Sequence, residues 1–205
     1  MRIQLGNVGK RFNSEWIFKN VNFRFEDAGK YAVTGPNGSG KSTFLLLIAG
    51  FILHNKGTIS YVQDETEISP EKINQYVSLA APYLEVVEEM TLNEFFHFHF
   101  KMKPAIESMD FKEMAEWVDL KDSFHKQIRY YSSGMKQRVK LAQAIFSNVP
   151  VILLDEPLTN LDKAGNDMYY RLIEKFAADR LVIVSSNDER EYSFCNEQLK
   201  ISDFK

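Results

Sequence analysis

This chain of 205 residues contains little cysteine and little proline, and its positive and negative charges nearly balance. The single cysteine excludes an intrachain disulfide, and six prolines and ten glycines are too few for a collagen-like or low-complexity chain. The formal net charge of -3 gives no electrostatic reason to expect nucleic acid as a partner. What remains is a globular chain, long enough to bury a large core without cross-links.

Long apolar runs are also missing. The longest, at residues 44–53, is interrupted by Gly50 and is far shorter than the roughly 20 residues that cross a bilayer. The first residues alternate in polarity and lack the charged and apolar segments of a secretory signal. The sequence therefore predicts a cytoplasmic protein that does not span a membrane by itself.

Apolar and polar residues alternate near the start of the chain, around Ile3 and Leu5 and again around Val21, Phe23 and Phe25. This period predicts half-buried antiparallel strands. Strands that alternate with helices further along indicate an α/β fold. Strands are predicted at residues 31–34, 58–62, 76–80, 151–154 and 181–184, and helices at residues 42–49, 136–146 and 163–178.

The pattern becomes helical from Thr91 onward. Thr91 and Glu94 have the spacing of a capping box, and residues 91–147 are predicted to form an insert of two or three helices. His97 and His99 lie two positions apart in an aromatic run, on nearly opposite faces of the predicted helix, so they cannot chelate one ion. This run therefore indicates aromatic core, part of which could face a partner protein.

A glycine-rich segment follows the predicted strand at residues 31–34 and matches the phosphate-binding pattern GxxxxGK[ST]. Its glycines allow successive N–H groups to turn toward a polyphosphate. Lys41 adds positive charge, and Ser42 offers a hydroxyl to Mg²⁺. The candidate phosphate-binding residues are Gly35, Pro36, Asn37, Gly38, Ser39, Gly40, Lys41, Ser42 and Thr43.

The apolar strand at residues 151–154 ends in two carboxylates. Mg²⁺ prefers hard oxygen ligands, so Asp155 is predicted to hold the metal with Ser42, directly or through water. Glu156 could orient or deprotonate the water that attacks the γ phosphate. An acidic strand end is common in proteins, but its pairing with a phosphate loop favours the functional interpretation.

Serine and glycine also precede the predicted helix at residues 136–146. Ser132 and the backbone N–H groups near Gly134 would point out of the helix N-terminus, which predicts a second anion site. A plain helix cap explains the same residues. The residues by themselves leave both alternatives open.

The phosphate loop, the segment at residues 131–138 and the Asp155-Glu156-Pro157 triplet strongly resemble the ATP-binding subunit of ABC transporters, in the same order and spacing over essentially the whole chain. The resemblance implies a P-loop NTPase with a RecA-like core and an N-terminal antiparallel β subdomain. It also implies an inserted helical subdomain at roughly residues 84–134, all within a single ATP-binding domain of residues 1–205.

Ligands and partners are implied by the same resemblance. They are ATP, Mg²⁺, a second copy of the chain and an integral membrane transporter subunit that would hold the chain at the inner face of the cell membrane. In this family two subunits enclose two ATP molecules. Ser132 and Gly134 would therefore contact the γ phosphate held by the other subunit.

Four further positions are assigned by the resemblance alone. Phe12 matches the aromatic ring that such proteins stack on adenine, with Trp16 as the alternative, and Asp162 matches a loop between the two subunits. Ala81 stands where the family usually has a glutamine that contacts metal and water. Asn187 stands at the position of a switch histidine, where it can donate a hydrogen bond but cannot carry a positive charge.

Two functions of different classes follow from these residues. The first is an ATPase, with Glu156 and Asn187 as catalytic residues, that powers a membrane transporter through nucleotide-driven dimerisation. The second is an ATP-dependent dimerising clamp that hydrolyses ATP very slowly, because Ala81 and Asn187 depart from the family pattern. A soluble P-loop kinase would leave Ser132 unexplained. The acidic residues at 85–89 could compensate for Ala81, although such loop carboxylates are usually just solvated.

Overall fold

The structure is a computed structural model and describes residues 1–106 and 109–205. Their Cα positions group into two compact units. The first unit contains Met1–Leu79, Val149–Glu156 and Asp179–Lys205, and the second contains Ala80–Asn148 and Pro157–Ala178. The chain therefore leaves the first unit twice and returns to it twice.

Strands and helices alternate along the described residues. The strands are β1 (Arg2–Phe12), β2 (Glu15–Phe25), β3 (Lys30–Thr34), β4 (Lys56–Gln63), β5 (Thr66–Ile68), β6 (Val77–Ala80), β7 (Val151–Asp155), β8 (Leu181–Ser185) and β9 (Glu197–Lys200). The α-helices are α1 (Lys41–Ile48), α2 (Leu92–Met102), α3 (Phe111–Trp117), α4 (Ser133–Ile145) and α5 (Lys163–Phe176). Within the described ranges, no helix is long and apolar enough to cross a membrane.

The predicted elements are confirmed, with most boundaries within two residues of those expected. The largest difference is α4, which begins at Ser133 rather than at residue 136. The side chain of Ser132 accepts a hydrogen bond from the backbone N–H of Met135. This cap stabilises an extra first turn that the apolar pattern alone did not indicate.

The first unit opens with an antiparallel sheet in the strand order β2-β1-β4-β5. Ile3 and Leu5 on β1, and Val21 and Phe25 on β2, are fully buried, while the polar residues between them are exposed or partly exposed. One face of the sheet therefore supplies core, as the period of two predicts.

The other sheet has the order β6-β7-β8-β3-β9. β7 pairs in parallel with β8, and β3 pairs in parallel with both β8 and β9. Every residue of β7 and β8 is buried, as expected for parallel strands covered on both faces. The carboxyl ends of these strands lie at one edge of the sheet, and residues 35–40 join β3 to α1 at that edge.

In the second unit, α2 begins with the predicted capping box. Thr91 Oγ1 accepts a hydrogen bond from the Glu94 backbone N–H at 3.2 Å, and Glu94 Oε2 accepts one from the Thr91 N–H at 2.8 Å. Phe96 is fully buried, with its ring centroid 5.5 Å from that of Phe100 and 5.9 Å from that of Phe111. The aromatic run is therefore largely core.

The two histidines of α2 have different surroundings, as the helical period predicts. The His97 side chain is exposed, and its Nδ1 lies 2.9 Å from the carbonyl oxygen of Asn93. The His99 side chain is partly buried, and its Nε2 lies 3.1 Å from the Ser147 hydroxyl. Among the described residues, no group of three His, Cys, Asp or Glu side chains is arranged to hold a metal ion.

Candidate functional site

The glycine-rich loop forms one wall of a cavity of about 300 Å³ in the first unit. The loop leaves the buried strand β3 and enters α1 at Lys41, so the first backbone N–H groups of the helix face the loop. A strand, a glycine-rich turn and a helix N-terminus in this order make a site for a polyphosphate. The cavity is lined by Ile17, Asn37, Gly38, Gly40, Lys41, Ser42, Thr43 and Glu156.

Gly40 is required at its position for two reasons. Its φ of 104° lies in the region that side chains rarely adopt. A methyl group added there would also stand 2.3 Å from the Ile17 Cγ2 atom. Ile17, on β2, was missed by the sequence analysis because its approach to the loop is a tertiary contact that no local pattern announces.

The Lys41 side chain is buried, with 6% of its surface exposed. Its ammonium donates hydrogen bonds to the carbonyl oxygens of Gly35 at 2.9 Å and Pro36 at 3.4 Å. The charge is therefore held inside the loop by neutral acceptors. Phosphate oxygens accept from an ammonium more strongly than carbonyl oxygens do, so an incoming polyphosphate would compete well for this group.

Asp155 is the last residue of β7, and Glu156 follows it at the edge of the parallel sheet. Asp155 is 2% exposed, and among the described residues its Oδ1 atom has no hydrogen-bond partner. Glu156 is partly exposed and lines the cavity beside Lys41. Its φ of 44° is unusual for a residue with a side chain, and its backbone N–H donates to the Ser185 carbonyl oxygen at 2.9 Å. Strain of this kind is concentrated at functional sites.

Asn187 contacts the phosphate loop. Its Nδ2 amide group donates a hydrogen bond to Asn37 Oδ1 at 2.7 Å, between side chains that are both exposed. This contact joins the segment after β8 to the loop after β3. An amide donor therefore lies at the rim of the candidate phosphate site.

Phe12 lies at the end of β1, and 49% of its surface is exposed. The ammonium of Lys10 stands 4.8 Å from the centre of the Phe12 ring and donates to the Leu53 carbonyl oxygen at 2.8 Å. The lining of the phosphate-loop cavity includes Ile17 and not Phe12. Trp16, the alternative, lies with its ring centre 5.6 Å from the Arg11 guanidinium.

A second cavity, of about 410 Å³, lies in the second unit. Ser132 is exposed there and caps α4, since its Oγ accepts a hydrogen bond from the Met135 N–H at 3.2 Å. Ser132 is thus a helix cap, and the N–H groups of the first turn lie beside it. The cavity is lined by Asp119, Ser132, Ser133, Gly134, Met135, Arg138, Asn160, Leu161 and Asp162.

Gly134 approaches the loop at residues 157–162. A methyl group added to Gly134 would stand 2.8 Å from the Asn160 carbonyl oxygen, so only glycine fits without a shift of the backbone. One turn along α4, the buried Gln137 side chain donates to the Pro157 carbonyl oxygen at 2.9 Å. The start of α4 and this loop are therefore closely packed within the second unit.

Asp162 has a structural role at the same place. Its Oδ1 accepts a hydrogen bond from the Gly165 N–H at 2.8 Å, which caps α5. The same oxygen lies 3.5 Å from the Arg138 guanidinium. That guanidinium also donates to Asp119 Oδ2 at 2.5 Å.

The remaining predicted positions lie in the second unit. Ala81 is fully buried and carries no side-chain oxygen. Two of the acidic residues at 85–89 form ion pairs, Glu88 with Lys136 at 2.5 Å and Glu89 with Arg129 at 3.4 Å. These acidic groups therefore have partners within the unit.

Comparisons with known proteins point to one family. The sequence profile of the family described as ABC transporter matches residues 18–159. YdbJ of Bacillus subtilis (strain 168), an uncharacterized ABC transporter ATP-binding protein, is 34% identical over 171 residues, covering 80% of this chain and 53% of that protein. The cytochrome c biogenesis ATP-binding export protein CcmA of Brucella abortus (strain 2308) is 31% identical over 191 residues, covering 91% of this chain and 86% of that protein.

A solved dimeric structure of the ATP-binding cassette MJ0796, in a post-hydrolysis state with ADP and Pi, matches this chain with a TM-score of 0.80 at 23% identity. The match covers 98% of this chain and 95% of that chain. Fold and loop together define an α/β protein of the phosphate-loop NTPase class, as predicted. The profile match and the CcmA relative show that the chain belongs to the ABC transporter family, among its ATP-binding proteins.

Proposed function

We propose that this chain is the ATP-binding and ATP-hydrolysing subunit of a membrane transporter and that it works through nucleotide-driven dimerisation. The observation that carries the proposal is the cavity at the phosphate loop, which Lys41, Ser42 and Glu156 line together. A phosphate-binding cation, a metal-binding hydroxyl and a carboxylate able to activate water share one space. Residues 1–205 would act as one ATP-binding domain with a helical subdomain at residues 84–134.

The phosphates of ATP would bind to the loop at residues 35–43. Backbone N–H groups and the positive end of α1 favour an anion there. Lys41 would exchange its hydrogen bonds to the loop carbonyls for bonds to phosphate oxygens. The exposed ring of Phe12, with Lys10 close to it, is available to stack on adenine.

Ser42 and Asp155 would hold Mg²⁺. Both offer the hard oxygen ligands that Mg²⁺ prefers. Ser42 lines the cavity, and the buried Asp155 Oδ1, which no other described group hydrogen-bonds, fits a carboxylate reserved for a ligand. When bound, Mg²⁺ neutralises charge on the phosphate oxygens.

Glu156 would act as the general base on the attacking water, because it is the acidic residue of the cavity lining. Asn187 would donate a hydrogen bond from its amide to the γ phosphate. Its existing contact with Asn37 keeps that amide at the rim of the loop. An uncharged donor at this place would act at the same strength across neutral pH.

A second copy of the chain would complete the site. The N–H groups at the start of α4 suit an anion, and Ser132, Gly134 and Asp162 line an open cavity of about 410 Å³. The dimeric state of the cassette MJ0796 with ADP and Pi supports dimerisation in general. ATP would then drive dimerisation because it binds the closed dimer better than the separate subunits.

An integral membrane subunit is the proposed partner of the second unit, which would place the chain at the inner face of the cell membrane. The name of CcmA as an export protein supports a partner of this kind. Exposed apolar side chains of the second unit are candidates for that contact. Those among the described residues are Tyr83, Val87, Phe98, Met102 and Tyr130.

Phe98 offers a direct test of that partner surface, because 44% of its surface is exposed while its neighbour Phe96 is fully buried. We expect Phe98→Ala to reduce recovery of the detergent-solubilised membrane subunit without loss of folding. Phe96→Leu is the matched control, since it perturbs the core and leaves the surface unchanged. Full retention of the membrane subunit by Phe98→Ala would remove Phe98 from the contact.

A clamp that dimerises on ATP and hydrolyses it very slowly is the second candidate. Ala81 favours it, because a buried methyl group offers no oxygen to metal or water. Asn187 favours it as well, because an amide cannot carry the positive charge of a protonated histidine. In a clamp of this kind, ATP binding and dimerisation would carry out the function, and ATP hydrolysis would not.

Steady-state phosphate release with Mg-ATP separates the two candidates. The ATPase predicts turnover that Glu156→Gln lowers by about 10²- to 10⁴-fold, the range of general-base catalysis, with nucleotide binding retained. Lys41→Ala should lose binding itself. A Glu156→Gln rate equal to that of the unaltered chain would contradict the assigned base. Negligible turnover of the unaltered chain even with its membrane subunit would favour the clamp.

A further inference from the structure

Ser185 is a buried polar residue that the assigned site does not use. It is the last residue of β8, and the four residues before it, Leu181 to Val184, are all apolar and buried. Ser185 is 0% exposed, and within the described part of the chain its Oγ atom has no hydrogen-bond partner. Leaving a buried hydroxyl without a partner is unfavourable, so such a group needs an explanation.

The register of the sheet places Ser185 beside the metal-binding carboxylate. Ser185 is the partner of Asp155 in the parallel pair of β7 and β8, and of Val33 in the pair of β3 and β8. Side chains at paired positions of neighbouring strands lie on the same face of a sheet. The Ser185 hydroxyl and the Asp155 carboxylate therefore share one face at the carboxyl edge, where the phosphate loop begins.

Both groups have unused hydrogen-bonding capacity. Asp155 Oδ1 and Ser185 Oγ are each buried, and neither has a hydrogen-bond partner among the described residues. The hydroxyl is a donor, and an ionised carboxylate or a water bound to it is an acceptor. A third such atom, Ser39 Oγ, belongs to the phosphate loop itself. These three oxygens belong to the ends of β7 and β8 and to the phosphate loop, where a hydrated cation would bind.

We propose that Ser185 is a positioning residue for Mg²⁺: its hydroxyl donates a hydrogen bond to the Asp155 carboxylate, or to a water held by it, in the nucleotide complex. Such outer-shell donors fix the orientation of a metal ligand, and their loss typically costs 10- to 100-fold in metal affinity. The inference rests on the proposed function, because it requires Mg²⁺ and a nucleotide at this edge of the sheet.

The test compares Ser185→Ala with the unaltered chain by titration of a fluorescent ATP analogue at a series of Mg²⁺ concentrations and in EDTA. We expect the apparent Mg²⁺ affinity of Ser185→Ala to fall by about tenfold, while nucleotide affinity in EDTA stays unchanged. The melting temperature without ligand should stay the same or rise, because the deleted hydroxyl has no partner to lose. If Ser185 is needed only for folding, Ser185→Ala would lower the melting temperature and leave the apparent Mg²⁺ affinity unchanged.

Ser78→Ala is the matched control. Ser78 is a buried serine of the same sheet, 4% exposed, whose hydroxyl donates to the Val151 carbonyl oxygen at 3.5 Å. Ser78→Ala should leave the Mg²⁺ dependence of nucleotide binding unchanged. If Ser185→Ala fails to fold, Ser185→Cys, close in size but a weak donor, should show the same loss of Mg²⁺ affinity.

The outcomes separate this inference from the function on which it rests. If the unaltered chain binds nucleotide and both Ser185 variants show the same Mg²⁺ dependence, the proposed role of Ser185 is overturned. The proposed function still stands in that case. An unaltered chain that binds no nucleotide would overturn both.

Discussion

Acidification should destabilise the folded chain through one partly buried histidine, His99. Burial of the His99 ring, with a smaller contribution from the charge of Lys103, lowers its pKa from 6.5 to about 4. The hydroxyl of Ser147 donates to the Gln143 carbonyl oxygen at 2.6 Å, so its oxygen is left to accept from His99 Nε2–H at 3.1 Å.

The sign of the effect follows from proton linkage. The unfolded chain protonates His99 near pH 6.5, whereas the folded chain resists protonation until about pH 4. Its contribution to stability is therefore complete above pH 6.5 and is lost as the pH falls from 6.5 toward 4. At 1.36 kcal/mol per unit of pKa, the loss amounts to about 2 kcal/mol by pH 5.

Urea unfolding at pH 7 and pH 5 measures this loss. Carboxylates elsewhere also titrate, so the informative quantity is the difference between the unaltered chain and His99→Gln, which cannot be protonated in this range. We expect the unaltered chain to lose about 2 kcal/mol more than His99→Gln. His97→Gln, at the exposed neighbour, is the control and should lose as much as the unaltered chain. Equal losses for the unaltered chain and His99→Gln would refute the reasoning.

Two further substitutions probe the second unit. Thr91→Ala removes the oxygen that accepts from the Glu94 N–H at 3.2 Å, and should lower the free energy of unfolding by about 1 kcal/mol in a denaturant titration; an unchanged value would mean that the cap contributes nothing. Gly134→Ala places a methyl group 2.8 Å from the Asn160 carbonyl oxygen, which should displace the start of α4, the segment proposed to face the other copy. We therefore expect Gly134→Ala to reduce ATP-dependent dimerisation and Ser133→Ala, at an exposed neighbour, to leave it unchanged. Equal dimerisation by both variants would contradict the packing argument.

Local pattern was enough for the phosphate loop and the strand that precedes it. The glycine and lysine spacing of residues 35–43 identifies the turn because each position needs a particular backbone freedom or charge. The apolar strand ending at Asp155 is equally local, since strands covered on both faces carry little but aliphatic residues. The capping box at Thr91 and Glu94 is read from two residues three positions apart.

Contacts between distant residues could not be predicted in the same way. The Asn187 amide reaches Asn37 across 150 positions of sequence. The approach of Ile17 to Gly40 depends on how one sheet lies against the loop within the first unit. The pairing of Ser185 with Asp155 needs the register of the sheet, which short apolar strands do not specify. Local motifs such as the phosphate loop were therefore predictable, and contacts between residues far apart in the sequence were not.

The central claim is that the phosphate loop of one copy and the Ser132–Gly134 segment of another enclose ATP. The direct measurement is the mass in solution of Glu156→Gln, which should bind ATP without hydrolysing it, determined by light scattering. With ATP we predict the mass of two chains, and with ADP, or with Lys41→Ala added to the same chain, the mass of one. A single-chain mass at saturating ATP would contradict the account.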